Sequence, residues 1–266
     1  MPRRATQRDL AVAAARAAAA VIVESRRTPE TLTAETKGLG DYVTEVDRRA
    51  ETAAIAVLRG GAPDIGVLAE ESGGAAADRY WVIDPVDGTT NLLRSYPEVG
   101  VSVALMEYGE PVAGSVLASY TGDGWSAAAG EGARDLSGRA IHVRAPAAMG
   151  RVVATGFPFR RKAENLAGYL RVMNAALEHF EDLRRAGAAS LDLAYAAAGT
   201  WDGFFELGLS LWDIAAGALL VREAGGVVTD WAGDDVGVFR SGDILAGSPE
   251  WHAEMLALVE RAGGAA

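Results

Sequence analysis

In the stretch Trp81-Val82-Ile83-Asp84-Pro85-Val86-Asp87-Gly88-Thr89-Thr90-Asn91, an apolar run delivers two carboxylates, three positions apart, into a Pro/Gly segment. Two hydroxyls and an amide follow. Pro, Asp and Gly favour surface turns, so a bare Asp-Pro-x-Asp-Gly string is a turn signal. The context alters that reading. A buried strand (Tyr80 to Ile83) ending in acids and hydroxyls is a means of pointing hard oxygen ligands at one spot. Upstream, Ile65 to Leu68 reads as a second buried strand, joined to the first by a Gly/Ala-rich loop and followed by Glu70-Glu71-Ser72. Adjacent acids usually form a solvated loop. If the two strands are neighbours, Glu70 and Asp84 emerge side by side, and their carboxylates repel unless a cation lies between them.

Working outward, an alanine-rich segment from about 6 to 27 predicts a first helix, broken by Pro29 and Gly38-Leu39-Gly40. Asp41 to Thr44 predicts a short extended piece leading into a helix from Glu45 to Leu58, which Gly60-Gly61 ends. Between Glu98 and Ala129, turn signals at Gly109-Glu110-Pro111 and Thr121 to Gly124 separate antiparallel strands. Gly130-Glu131-Gly132 predicts a turn after them. Beyond Pro146 strands and helices alternate. Strands are expected at Arg151 to Ala154, Gly203 to Glu206, Val227-Val228 and Ile244 to Ala246. Helices are expected at Lys162 to Phe180, Ala188 to Ala198, Asp213 to Glu223 and from Pro249. Leu166, Leu170, Met173 and Leu177 place core or dimer surface on the Lys162 helix. The fold class is α/β, with an α+β half over about 1–145 and an α/β half over about 146–266. No linker or internal repeat divides residues 1–266, so a single unit is expected.

Composition narrows the function. The chain has 266 residues, 36 acidic and 25 basic, a net charge of −11, and is half hydrophobic. That suits a globular protein with a sizeable core. The acid excess argues against coating nucleic acid or an anionic membrane. With no cysteine, disulfides, thiolate metal sites and cysteine nucleophiles are excluded. His142, His179 and His252 are scattered, which leaves hard cations with oxygen ligands. No apolar run is long enough to span a bilayer. Asp9 and Arg16 interrupt the signal-like N-terminal stretch, and Ala17 to Val23 is short and followed by Glu24; a solvent-facing helix of a cytoplasmic protein is expected. No GxGxxG, P-loop or GxSxG motif is present.

Two further clusters carry acids. Ser210-x-x-Asp213 fits a capping box at a helix start, and a first-turn Asp can still offer an oxygen to a metal. In Asp41-x-x-Thr44-x-x-Asp47, Thr44 or Asp47 can serve as an N-cap. In joint order, Asp41 to Asp47, Glu70 to Ser72, Trp81 to Asn91, Ala154 to Arg160, Arg184 to Gly199 and Trp212 to Gly226 resemble the inositol monophosphatase family. This is a family of Mg²⁺-dependent, lithium-sensitive phosphatases, and the resemblance is nearest to its bacterial inositol-1-monophosphatase branch.

The resemblance implies a layered αβαβα sandwich of the sugar-phosphatase type and hydrolysis of a phosphate monoester, with inositol 1-phosphate as the expected substrate. It implies two to three Mg²⁺ ions. Glu70, Asp84 and the Val86 carbonyl would hold the first, Asp84, Asp87 and Asp213 the second, and Glu70 with waters a third. Asp47 and Thr89, with Glu70 assisting, would orient and deprotonate the attacking water. The backbone N–H groups of Gly88, Thr89 and Thr90 would hold the phosphate. Asp87, Gly187, Ala189, Glu206 and Asp213 would contact the alcohol part. Family members are commonly homodimers. Ser210 stands where some members carry a histidine, and Leu92 replaces a frequent aromatic. Fructose-1,6-bisphosphatase or histidinol-phosphate phosphatase activity on the same scaffold is the alternative, as is a regulatory, protein-binding role with secondary phosphatase activity. Asp-Gly-Thr-Thr-Asn favours the inositol-type branch over the nucleotide-phosphate branch, which usually carries Lys after Asp-Gly-Thr.

Overall fold

The computed structural model describes residues 4–26, 34–38, 41–145, 150–159 and 162–263. Pro29, Leu39, Gly40, Pro146 and Arg160, which figure in the expectations above, lie outside them. The chain runs α1 (Arg4–Ser25), β1 (Ala34–Gly38), β2 (Asp41–Thr44), α2 (Glu45–Gly61), β3 (Gly66–Ala69), β4 (Arg79–Asp87) and α3 (Thr89–Leu93). A meander follows: β5 (Gly100–Glu107), β6 (Glu110–Ala118), β7 (Gly124–Ala128) and β8 (Ala133–Asp135). Then come β9 (Val152–Thr155), α4 (Lys162–His179), β10 (Asp182–Arg184), α5 (Ala189–Ala197), β11 (Gly203–Glu206) and α6 (Leu211–Glu223). The chain closes with β12 (Val227–Thr229), α7 (Val238–Ser241), β13 (Ile244–Gly247) and α8 (Pro249–Ala262).

Two sheets organise these elements. The first has the order β3-β4-β5-β6-β7-β8 and the second β10-β9-β11-β13-β12, while β1 and β2 form a hairpin. Helices α1 and α2 cover the outer face of the first sheet, α5 and α6 lie between the sheets, and α4 and α8 cover the second sheet from outside. The result is a five-layer αβαβα sandwich. In β4, Trp81 and Ile83 pack toward α1 and α2, while Tyr80 and Val82 pack toward α5 and α6. A strand buried on both faces reads as one continuous apolar run, which is why Tyr80 to Ile83 lacks alternation.

Two expectations need correction. Helix α1 is not a solvent-facing helix: Ala11, Ala14, Ala15, Ala18 and Ile22 are fully buried against the first sheet. Their i, i+3, i+4 spacing is a core stripe, but alanine fills the rest of the helix too and hides it. Strand β3 is only partly buried, because it lies at the sheet edge with β4 as its one neighbour. On α4 the alternatives of core and surface divide: Leu166, Leu170 and Leu177 are exposed, while Met173 packs partly buried against the core beneath the helix. No helix among the described residues is long and apolar enough to cross a membrane.

Candidate metal and phosphate site

Strands β3 and β4 run parallel, with Ala69 opposite Ile83, so Glu70 and Asp84 leave the last paired couple side by side as expected. The Glu70 N–H donates to the Ile83 carbonyl at 3.2 Å. Strand β4 does not stop there, however. It continues to Asp87 with a bulge: Asp84 pairs with Ser102 and Asp87 with Gly100, so three steps on β4 match two on β5. The bulge decides the chemistry. In a regular strand, residues three apart point to opposite faces. One extra residue returns Asp87 to the side of Asp84, and Pro85, which has no N–H to donate, sits inside this irregularity. The Asp84 Oδ1 accepts from the Val86 N–H at 3.0 Å.

Asp213 approaches from the opposite layer, at the start of α6. It forms a capping box with Ser210, its Oδ2 accepting from the Ser210 N–H at 2.7 Å. Capping and ligation are compatible, since a carboxylate has two oxygens. Ligand oxygens of Asp84, Asp87 and Asp213 all lie within 4.8 Å of one another, and all three residues are buried. Burial, together with the charges of Glu70, Asp87 and Asp213, pushes the Asp84 carboxyl well above the usual carboxylate range. Glu70 faces the same cleft but stands outside that closest group.

Gly88 follows with φ of 99° and caps α3. A Cβ there would stand 2.9 Å from the Glu98 carbonyl oxygen, so both the turn and the close approach require glycine. The first turn of α3 brings the Thr89 hydroxyl 2.9 Å from Asp47 Oδ1 and 3.2 Å from the Val86 carbonyl, with one proton to share between them. Asp47 is buried and forms a capping box with Thr44, whose hydroxyl donates to Asp47 Oδ2. Burial raises the Asp47 pKa, and the hydrogen bonds from Thr44 and Thr89 only partly oppose this.

A cleft of about 390 Å³ contains Glu70, Asp84, Val86, Asp87, Gly88, Thr89, Thr90, Gly187, Ala189, Glu206 and Asp213 in its wall. Asp47 does not line it and reaches it through Thr89. Glu206, at the end of β11, fits against Gly156, where a Cβ would stand 1.9 Å from its Oε2.

Three anchoring residues, Ser190, Glu51 and Ser102, stand outside the clusters that the sequence marks, and a fourth, Asn91, figures there only as the amide after the paired acids. The Ser190 N–H and hydroxyl both donate to Asp87 Oδ2, at 2.7 and 2.6 Å, fixing that acid at the start of α5. Buried Glu51 on α2 accepts from the N–H groups of Glu71 and Ser72 at 2.8 and 2.9 Å, holding the loop that carries Glu70. Asn91 Nδ2 donates to the Glu98 and Ala186 carbonyls at 2.7 and 3.0 Å, tying α3 to the loop before α5. The Ser102 hydroxyl donates to the Trp212 carbonyl at 2.9 Å and sets the start of α6. Of the three outside those clusters, only Ser190 leaves a signal, a hydroxyl in the first turn of an expected helix.

The sequence model of the inositol monophosphatase family matches residues 4–263. The protein named Nus factor SuhB from Pseudomonas aeruginosa is 41% identical over 259 residues, 95% of each chain. Its namesake from Escherichia coli K12 is 41% identical over 252 residues, 94% of each. The crystal structure of extragenic suppressor protein suhB from Bartonella henselae superposes with a TM-score of 0.88 at 36% identity, covering 94% of this chain and 97% of that one. The Thermotoga maritima IMPase gives a TM-score of 0.84 at 30% identity, with 96% of each chain covered. The chain belongs to the inositol monophosphatase family.

Proposed function

We propose that the whole chain acts as one catalytic unit that hydrolyses a phosphate monoester with Mg²⁺, inositol 1-phosphate being its first substrate. The convergence of Asp84, Asp87 and Asp213 within 4.8 Å carries this reading. Buried carboxylates at that spacing repel unless cations join them, and an all-oxygen donor set fits Mg²⁺. Glu70, Asp84 and the Val86 carbonyl would hold one ion, Asp84, Asp87 and Asp213 a second, and Glu70 a weaker third. When bound, Mg²⁺ supplies charge neutralisation at the phosphoryl oxygens and a lowered pKa for the attacking water.

The chain's own residues do the positioning. The Thr89 hydroxyl donates to Asp47 and keeps acceptor capacity for a water in the cleft. A proton leaving the water at Thr89 Oγ1 releases the Thr89 proton to Asp47 Oδ1. Asp47, with its pKa raised by burial, is a better proton acceptor than an ordinary aspartate. Glu70 assists from the neighbouring strand end. The N–H groups of Gly88, Thr89 and Thr90 bind the phosphate. Asp87, Glu206 and Asp213, with the backbone at Gly187 and Ala189, accept the alcohol's hydroxyls, and an analogue lacking one leaves a buried acceptor unpaired.

The test is phosphate release from inositol 1-phosphate, fructose 1,6-bisphosphate, histidinol phosphate and an adenosine bisphosphate, each with and without Mg²⁺ and Li⁺. We expect Mg²⁺-dependent, Li⁺-inhibited release, fastest from inositol 1-phosphate. Preference for the fructose or histidinol substrate would select the alternative activities, and no turnover of any sugar or cyclitol phosphate overturns the reading. The relatives named Nus factor SuhB favour a second reading, a regulatory protein-binding role with secondary phosphatase activity. A partner captured equally by wild type and Asp87→Asn would support it. The unit is further proposed to be cytoplasmic and to form a homodimer; a monomer alone in sedimentation at micromolar concentration counts against the dimer.

A further inference from the structure

Five acids in the cleft wall face a single basic side chain among its described residues, Arg185, on the loop between β10 and α5. Its guanidinium lies over the rings of Phe157 and Phe159, 5.3 and 5.5 Å from their centroids. These rings stand edge-on to each other at 88°, and Phe157 is edge-on to Tyr169 in turn. Aromatic contact occupies the flat face of a guanidinium and leaves the N–H rim for planar acceptors. Among the described residues no carboxylate pairs with Arg185, whereas its neighbour Arg184 is paired with Asp182. Asp192 on α5 is buried and feels the Arg185 charge, but no ion pair joins them.

The guanidinium is also close to the proposed phosphate cradle. A Cβ on Gly187 would stand 2.3 Å from Arg185 Nη1, so the guanidinium packs on the Gly187 backbone. The Gly187 carbonyl oxygen in turn lies 3.4 Å from the Cβ position of Gly88. One backbone segment therefore separates Arg185 from the start of α3. A small phosphorylated polyol held at α3 would bring its far end within reach of a cation fixed by aromatic rings.

Resting on the phosphatase reading, we propose that Arg185 is a specificity-determining residue that binds a second anionic group, phosphate or carboxylate, on the substrate's alcohol part. A guanidinium pairs with either group through two parallel N–H···O bonds. The substrate class then extends from phosphates of neutral polyols to those bearing a second anionic group.

Two matched pairs test it with the full-length protein and Mg²⁺. Fructose 1,6-bisphosphate against fructose 1-phosphate probes a second phosphate, and 3-phosphoglycerate against glycerol 3-phosphate probes a carboxylate. Arg185→Gln is expected to raise KM for the doubly anionic member of at least one pair roughly 10- to 100-fold. Its kcat and both constants of the singly anionic partner should stay within about threefold, and Arg185→Lys should recover only part of the loss. The pair that responds identifies the anion. Equal losses for both members of both pairs, or no change, would overturn the assignment. Calorimetric binding of fructose 1,6-bisphosphate and fructose 1-phosphate to Asp47→Asn protein, with and without Arg185→Gln, separates this claim from hydrolysis. If the wild type releases no phosphate, the hydrolytic reading fails while binding still decides Arg185. Hydrolysis with no Arg185-dependent preference in either measurement sinks Arg185 alone.

Discussion

Removing the Thr89 hydroxyl takes away the group that connects the cleft to Asp47. Thr89→Ala is expected to lower kcat about 10²- to 10⁴-fold with a modest change in KM, read by steady-state phosphate release, as is Asp47→Asn. Thr89→Ser should keep most of the rate, because the hydroxyl is the working part. An equal rise in KM for Thr89→Ala, with kcat kept, would instead assign Thr89 to binding. At this scale the acids were legible: Glu70, Asp84, Asp87 and Asp213 are oxygen donors at the ends of apolar runs, and all four face one cleft. Their anchors were not. Glu51 lies 20 positions from Glu71, and Ser190 lies 103 from Asp87. Each is an ordinary buried polar residue whose importance appears only when its partner is in contact.

Elements place these groups through small departures from regularity. The bulge between Asp84 and Asp87 turns a three-residue spacing into a shared direction, and it exists only in the pairing with β5. Within Trp81 to Asn91, Pro85 is its one local sign, and a proline there reads equally as a turn. The buried Glu51 carboxylate holds the loop after β3 through two backbone N–H groups. Glu51→Ala leaves both donors without that acceptor, and about 1–3 kcal/mol of stability should be lost in denaturant unfolding. The same variant should weaken Mg²⁺ binding, because Glu70 loses its support; unchanged stability would show that water replaces the carboxylate. The longer elements followed from periodicity and turn residues, as the meander strands β5 and β6 and the capped starts of α2 and α6 show. The short β1, β8, β10, α3 and α7, three to five residues each, offered too few positions to establish a period.

At the scale of the molecule, a net charge of −11 includes acids gathered at one cleft, so stability should respond to cations. Added Mg²⁺ is expected to raise Tm, and chelation to reverse the rise. Because the Asp84 pKa is raised in the fold, ionisation costs metal-free stability as pH climbs above 3.8 toward the folded value. Asp84→Asn should therefore raise the Tm of the metal-free protein at neutral pH and lose most of the Mg²⁺ response; a lower metal-free Tm would contradict this. The opposite sign applies to His252, which contacts the Thr229 hydroxyl at 2.8 Å and whose pKa burial lowers from 6.5. Its neutral form is the one the fold accepts, so its contribution is present above pH 6.5 and is lost as pH falls through the depressed folded pKa. His252→Gln should flatten the acid limb of a Tm-versus-pH curve, and an unaltered limb would contradict that assignment. Whether the buried acids work as a cation-dependent phosphatase site is decided by the initial rate of phosphate release from inositol 1-phosphate as Mg²⁺ is raised from zero, in wild type and Asp87→Asn. Release should be absent without Mg²⁺, should saturate in the wild type, and should nearly vanish in the variant. Release that persists with a chelator present, or that survives Asp87→Asn, would contradict such a site.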